Sequence, residues 1–280
     1  MSRNKSQRDE LPTIWRVPDP LWAKIQPLLA ELDPPQPRGR PRIDQRAALN
    51  ALIFRLRSGC QWNQLPQEFP DDSSVHRTWQ RWQQVGLFER LWARLLTECQ
   101  DLGGVDWAWQ SADAAMGKAR SGGDLIGRNP TDRGKNGVKK SLLVEANGGP
   151  LAVVIAGANR HDTKLLAATL AAVVVERPAT SAEQPQHLCL DKGYDNPTGA
   201  AAVAAHHYVG HIRRIGEEKL DEHGEKRHPA RRWVVERTLA WLSKCRALLV
   251  RYEKKASNYL ALLQLACALL WFRRWLRLAF

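Results

Sequence analysis

The chain is poor in acid and in cysteine, and both shortages narrow what it can do. Its 280 residues carry 29 Asp and Glu against 42 Lys and Arg, a formal charge of +13. Such an excess makes a polyanion the default partner. A basic protein on a membrane surface is the rival, but no lysine-rich amphipathic terminal helix supports it. The five cysteines (Cys60, Cys99, Cys189, Cys245 and Cys267) are odd in number, far apart and form no Cys-x-x-Cys pair, which argues against structural zinc. They read as small buried side chains in a reducing, cytoplasmic compartment. Long hydrophobic runs are missing too. The longest, Tyr259 to Phe272, contains Gln264 and is short of the ~20 residues that span a bilayer, so it reads as a core helix with no membrane role. The first ten residues lack the apolar stretch of a signal peptide. Gly-x-Ser-x-Gly, a phosphate-binding Walker loop and a dinucleotide fingerprint are all absent, and no small-molecule cofactor is expected.

What is present is a 44% hydrophobic chain long enough for one large domain or two. Residues 1–17 are polar and expected to be disordered. Residues 18–103 read as a helical domain, and 104–280 as a mixed α/β domain.

In the first domain, Asp19 and Pro20 open a short helix. Prolines and Gly39 then break the chain around Arg38, Arg40 and Arg42, which suit either a DNA minor groove or a solvated linker. Asp44 caps a helix to Arg57, a short turn follows near Trp62, and Ser73 or Ser74 caps a third helix ended by Gly86. That succession is the helix-turn-helix order. On the third helix Val75, Trp79 and Trp82 form the core stripe, leaving Arg77, Gln80 and Arg81 outside. Arg and Gln read guanine and adenine in the major groove. The same pattern also fits an ordinary helical hairpin with a polar face.

In the second domain, Trp107 to Asp113 alternate as a strand. Residues 114–141 are glycine-rich and read as a pliable basic loop; Arg133 and Lys135 lie in it, placed to hold a phosphate backbone. Ser141–Glu145 and Leu151–Ala156 flank a turn and form a hairpin. Then come a helix from Thr163, a strand His187–Leu190, a helix from Asn196, a strand Tyr208–Ile212, a charged loop 216–229 and one long helix Arg231–Val250. A hairpin feeding a mixed sheet flanked by helices is the ribonuclease H-like arrangement.

Three acids stand where that order brings chain ends together: Asp113 near the end of the first strand, Asp191 after the buried strand, and Glu236 early in the late helix. Asp106 is the alternative to Asp113. Carboxylates converging on one cleft repel and raise one another's pKa unless a cation neutralises them. A hard divalent ion such as Mg²⁺ suits oxygen ligands of this kind. On the long helix, Arg237, Lys244 and Arg251 recur every seventh residue on one face, which predicts a phosphate-binding stripe. His161, His206, His207 and His211 read as structural or exposed rather than as metal ligands.

At these residues the sequence resembles the DDE transposases of bacterial insertion sequences, in the insertion-sequence-five-like group. The similarity runs from about Asp19 to the C-terminus. Gly39-Arg40-Pro41-Arg42 and Ser58-Gly59-Cys60-Gln61-Trp62 with Leu65-Pro66 are similar to that group's DNA-binding region. Asn129 to Lys135 resembles the loop after the first acid, Asp191-x-Gly193-Tyr194 the second-acid signature, and Arg232-x-x-x-Glu236 the third. The broader superfamily has a tyrosine where this chain has Pro229 and a lysine where it has Ser243, beside Lys244.

The resemblance implies a metal-dependent enzyme that binds double-stranded DNA at terminal inverted repeats. It implies that Asp113, Asp191 and Glu236 hold two Mg²⁺ ions, with Mn²⁺ as a substitute, and that freed 3′-hydroxyl ends attack target DNA. Arg232 would clamp the scissile phosphate. The protein would work as a homodimer on DNA, among the bacterial nucleoid. A nuclease or resolvase of the same fold, and a catalytically silent DNA-binding protein, are the competing readings.

Overall fold

The computed structural model describes residues 13–35, 38–39, 41–212 and 231–280. Arg40, Pro229, the 216–229 loop and residues 1–12 lie outside them.

Helices α1 (Asp19–Leu32), α2 (Gln45–Ser58), α3 (Asp72–Gln84) and α4 (Leu87–Asp101) make the first layer. Asp44 caps α2 by accepting from the Ala47 amide at 2.6 Å. Asp71, not Ser73 or Ser74, caps α3 through the Ser74 amide at 3.0 Å. Val75, Trp79 and Trp82 are fully buried, as their spacing predicts, and Thr78 joins them. Part of the stretch expected to be disordered is packed: Ile14 and Val17 are buried, and Trp15 lies against Phe54. Apolar residues closely spaced in a polar context were enough to anchor it.

The sheet begins with β1 (Trp109–Ala119), which pairs antiparallel with β3 (Asn136–Glu145) from Gln110–Glu145 through to Lys118–Gly137. Half of the expected pliable loop is therefore strand. Small and polar residues after Asp113 do not advertise a strand, but the ladder to β3 supplies their backbone hydrogen bonds. On the edge of β3 away from β1, strand β2 (Gly127–Arg128) pairs with its start and β4 (Pro150–Gly157) with the rest. Helix α5 (Thr163–Ala171) leads to β5 (His187–Leu190), parallel to β1. Helix α6 (Pro197–Ala205) then leads to β6 (Val209–Ile212), parallel to β5. This is a ribonuclease H-like mixed sheet flanked by helices.

The expected long helix is broken. Helix α7 (Trp233–Ser243) stops, Cys245 is extended, and a four-residue α8 (Arg246–Leu249) runs into β7 (Val250–Arg251). Strand β7 pairs with Lys118–Ala119 at the far end of β1. Pairing with the sheet outweighs continued helix there.

Helix α9 (Ala256–Ala279) is the one described helix long and apolar enough to cross a bilayer by length. It packs in the core instead, against α4 and β4. Trp92 of α4 and Trp271 of α9 both donate an indole N–H to the carbonyl of Pro150, at 3.0 and 2.6 Å. The helical layer and the sheet thus share one apolar core.

Candidate active site

Both faces of the sheet are covered, and β1 assigns side chains to them by parity. Gln110, on one face, accepts from the Tyr208 hydroxyl at 2.6 Å. Ser111, on the other, donates to the Arg231 carbonyl at 3.2 Å, just before α7. Asp113 shares the face of Ser111, so it points towards α7, the helix that carries Glu236.

The parallel register pairs Ser111 with Cys189. Two residues further on each strand stand Asp113 and Asp191, level with each other where β5 ends. Asp113 is thus mid-strand rather than at a strand end, but it lies where its neighbour strand stops. Asp191 caps the turn Lys192–Tyr194, its Oδ1 accepting from the Gly193 amide at 2.8 Å. A side chain at 193 would set its Cβ 3.0 Å from that same oxygen and press on the carboxylate. Glu236 sits in the first turn of α7, half-exposed, with Oε1 held by Arg232 Nε at 3.0 Å and Nη2 at 2.8 Å.

The three charges act on one another. Burial pushes the Asp113 carboxyl up to about 6, and Asp191 and Glu236 add to the rise. The Ala114 N–H and Arg232 oppose it. Asp106 lies outside this group: it precedes β1 and accepts from the Ala108 amide. As they stand, no three His, Cys, Asp or Glu side chains among the described residues are gathered closely enough to hold an ion. The donor chemistry nonetheless fits a hard divalent cation: all three are carboxylates, and the raised Asp113 pKa includes the kind of repulsion that a cation relieves.

Two neighbours were given no role by the sequence. Tyr194 is fully buried, its hydroxyl has no hydrogen-bond partner, and burial, then Asp162, Asp113 and Asp191, raise its pKa. Asp162, next to His161, pairs with Lys139 at 2.6 Å. The one signal in the sequence was the position of Tyr194 inside the Asp-Lys-Gly-Tyr run.

Residues 17–92 match the family described as "Putative transposase of IS4/5 family", and residues 105–271 match the family described as "Transposase DDE domain". The chain belongs to the DDE transposases. It is 35% identical over 153 residues to "Putative transposase for insertion sequence element IS402" of Burkholderia cepacia, covering 54% of this chain and 70% of that one. It is 34% identical over 122 residues to "Insertion element IS402 uncharacterized 16.2 kDa protein" of the same organism, covering 41% and 80%. The transposase is thus a DNA-acting enzyme that depends on a divalent metal.

The cations named from sequence fare unequally in this transposase. Arg251 is buried and spends its guanidinium on Asp124 and the carbonyls of Glu253 and Lys254, so it cannot face DNA. The seven-residue stripe fails with it, because the helix ends before reaching it. Arg237 is half-buried between Trp233 and Trp241 and donates to the Asn147 carbonyl. Lys244 is exposed just after α7. Ser243, at the superfamily's lysine position, donates back to the Leu239 carbonyl. Arg42 and Arg81 both close on buried Asp33 and are structural in this state. Arg38, Arg77, Arg133 and Lys135 are exposed, and Gln80 is half-buried.

Proposed function

We propose that Asp113, Asp191 and Glu236 form the catalytic centre of this transposase and hold two Mg²⁺ ions, with Mn²⁺ able to replace them. The observation that carries the reading is the placement of Asp113 and Asp191 level on two adjacent parallel strands, on the sheet face that Ser111 ties to the start of the helix carrying Glu236. When bound, the ions activate the attacking oxygen and offset charge on the phosphate and the leaving oxygen.

This chain's own residues do the positioning. Arg232, exposed one turn before Glu236, presents a planar fork to a phosphate. Gly193 and the turn after it hold Asp191 at the strand end. Water attacks the phosphodiester at the terminal inverted repeat, the P–O3′ bond breaks, and the 3′-oxygen leaves with a proton. That 3′-hydroxyl then attacks a target phosphodiester, which breaks its own P–O3′ bond. Two ends must be joined, so a homodimer on DNA is the working unit. The helices up to 103 recognise the repeat, with Arg77, Gln80 and Arg38 the exposed or partly exposed candidates, and the protein acts in the cytoplasm at the nucleoid.

The test is Asp191→Asn and Glu236→Gln in a cleavage assay with a terminal-repeat duplex. Cleavage is expected to fall by at least about a hundredfold while duplex binding persists. An active Asp191→Asn protein refutes the assignment.

A further inference from the structure

Helix α2 ends on Gly59, and that end lies against the segment that follows the helix of Glu236. Gly59 has a φ of +68°, and a Cβ there would stand 3.0 Å from Arg246 Cβ, 3.1 Å from the Arg246 carbonyl carbon and 3.2 Å from the Ala247 nitrogen. Two of those atoms are backbone of α8, so they have no rotamer in which to retreat. Two residues earlier, Arg57 donates from Nη1 to the Cys245 sulfur at 3.4 Å and from Nε to the Ile14 carbonyl at 3.3 Å. Arg55 forms a buried ion pair with Glu253 at 2.7 Å. We propose that the end of α2 is a joint that sets the third acid: Arg57 and Gly59 are positioning residues, fixing the chain at Cys245 and through it the tilt of α7 and the aim of Glu236. The inference rests on the catalytic reading above.

Little chain separates the joint from α7. That helix ends at Ser243, α8 starts at Arg246, and Lys244 with the extended Cys245 joins the two pieces. The α8 piece is pinned elsewhere too. Its Leu248 carbonyl accepts from the Lys140 amine of β3 at 3.1 Å and from the Tyr259 hydroxyl of α9 at 2.9 Å, and both donors are buried. Midway along α7, Thr238 donates to the Gly148 carbonyl at 2.8 Å and Arg237 to the Asn147 carbonyl at 2.7 Å. A helix held at one place still tilts about it, and a second hold at its end removes that freedom. The second hold matters because a reacting group displaced by ~1 Å can lose about a hundredfold in rate.

The joint also gives a role to the stretch Ser58-Gly59-Cys60-Gln61-Trp62. Its resemblance to a DNA-binding region predicts contact with the duplex, but Gly59 meets α8. Trp62 carries the Arg55 guanidinium 4.2 Å above its ring centre and lies 4.8 Å from the His76 ring. Arg77 stands on α3, which packs against α2, so a repeat bound on α3 bears on the body that holds Cys245. The contact between the layers at Trp92 and the Pro150 carbonyl bears on β4 instead. A thiol is a weak acceptor, so the Arg57 contact contributes placement more than stability.

The experiment uses the full chain, a terminal-repeat duplex and Mn²⁺. Arg57→Met removes the donor and keeps the apolar stem. It is expected to melt within about 4 °C of wild type. It should bind the duplex within about twofold of wild type and cleave it about tenfold more slowly at saturation, with Mn²⁺ affinity weakened several-fold. Arg57→Lys keeps a donor and should recover most of the rate. Gly59→Ala should lose more, since both φ and space oppose the added methyl group; if it does not fold, Arg57→Met decides. In a Glu236→Gln background, Arg57→Met should add no further loss of Mn²⁺ affinity, because it acts through Glu236. Wild-type cleavage by Arg57→Met overturns the proposal, and so do additive losses in the double variant. Weakened duplex binding with an unchanged cleavage rate also overturns it, because the residue would then be a DNA contact. An active Glu236→Gln protein marks failure of the acid assignment, separately from the joint.

Discussion

Arg232 closes on Glu236, with two guanidinium nitrogens 2.8 and 3.0 Å from a single carboxylate oxygen. Both side chains are about half exposed, so the pair itself adds little stability. On the proposed reading, a DNA phosphate gives Arg232 a stronger partner and frees Glu236 to bind a cation. Duplex DNA is therefore expected to tighten Mn²⁺ binding by wild type several-fold, and the coupling must run both ways. Without DNA, Mn²⁺ should bind Arg232→Gln more tightly than wild type, and adding a duplex should change that variant's affinity little. Calorimetric titration with and without a duplex checks both; equal coupling in the two proteins rules the switch out.

Asp113 should make the metal-free protein sensitive to pH. Burial, helped by Asp191 and Glu236, raises its carboxyl from 3.8 to about 6. A folded pKa above the unfolded one contributes stability that is complete below the unfolded value and lost as pH rises through the folded value. Asp113→Asn is then expected to stabilise the chelator-treated protein by about 1–3 kcal/mol at a pH of about 8, and by nothing near a pH of about 4. Urea melts at the two pH values decide; stabilisation at low pH only would contradict it.

Arg81 and Arg77, one turn apart on α3, should behave oppositely. Arg81 and the Trp82 indole both donate to buried Asp33, at 2.9 Å each. Arg81→Ala is expected to cost about 1–3 kcal/mol of folding stability by leaving that carboxylate under-paired. Among the described residues Arg77 bonds only Ser74 on its own helix, so Arg77→Ala should leave stability within about 0.5 kcal/mol and weaken duplex binding. Thermal melts paired with binding isotherms separate the two; a stable Arg81→Ala protein would return Arg81 to the set of DNA-facing cations.

The buried ion pair Arg55–Glu253 couples the helical layer to the loop after β7, with side chains 7% and 6% exposed. Removing either partner alone is expected to cost about 3–5 kcal/mol, because the other charge is left buried. Arg55→Met with Glu253→Leu should recover most of that loss. A double-mutant cycle by denaturant unfolding measures the coupling, and additive single losses would show that the pair contributes nothing.

Legibility varied with how local the cause was. His187–Leu190 reads as a strand and is one, because a short apolar run bounded by polar residues forms a buried strand wherever it lies. The α3 core stripe was equally plain from its helical spacing. The second half of β1 was not, since Met116, Gly117 and Lys118 carry no strand pattern and owe their conformation to Val138 and Gly137 across the ladder. The helix break at Cys245 was hidden for the same reason: Val250 and Arg251 leave the helix to pair with Lys118 and Ala119. Arg251 looked like a surface cation in sequence, and only its position beneath Asp124 and Lys254 makes it a core residue.

Sequence alone determined the family, the charge that demands a polyanion, and which acids follow which strands and helices, because each is written in residue type or short-range spacing. Tertiary structure decided that Asp113 and Asp191 stand level on parallel neighbours with Glu236 opposite. It also decided which arginines face outwards, and that the end of α2 lies against the segment that follows α7. Those facts depend on strand register and burial, which arise when distant segments pack together.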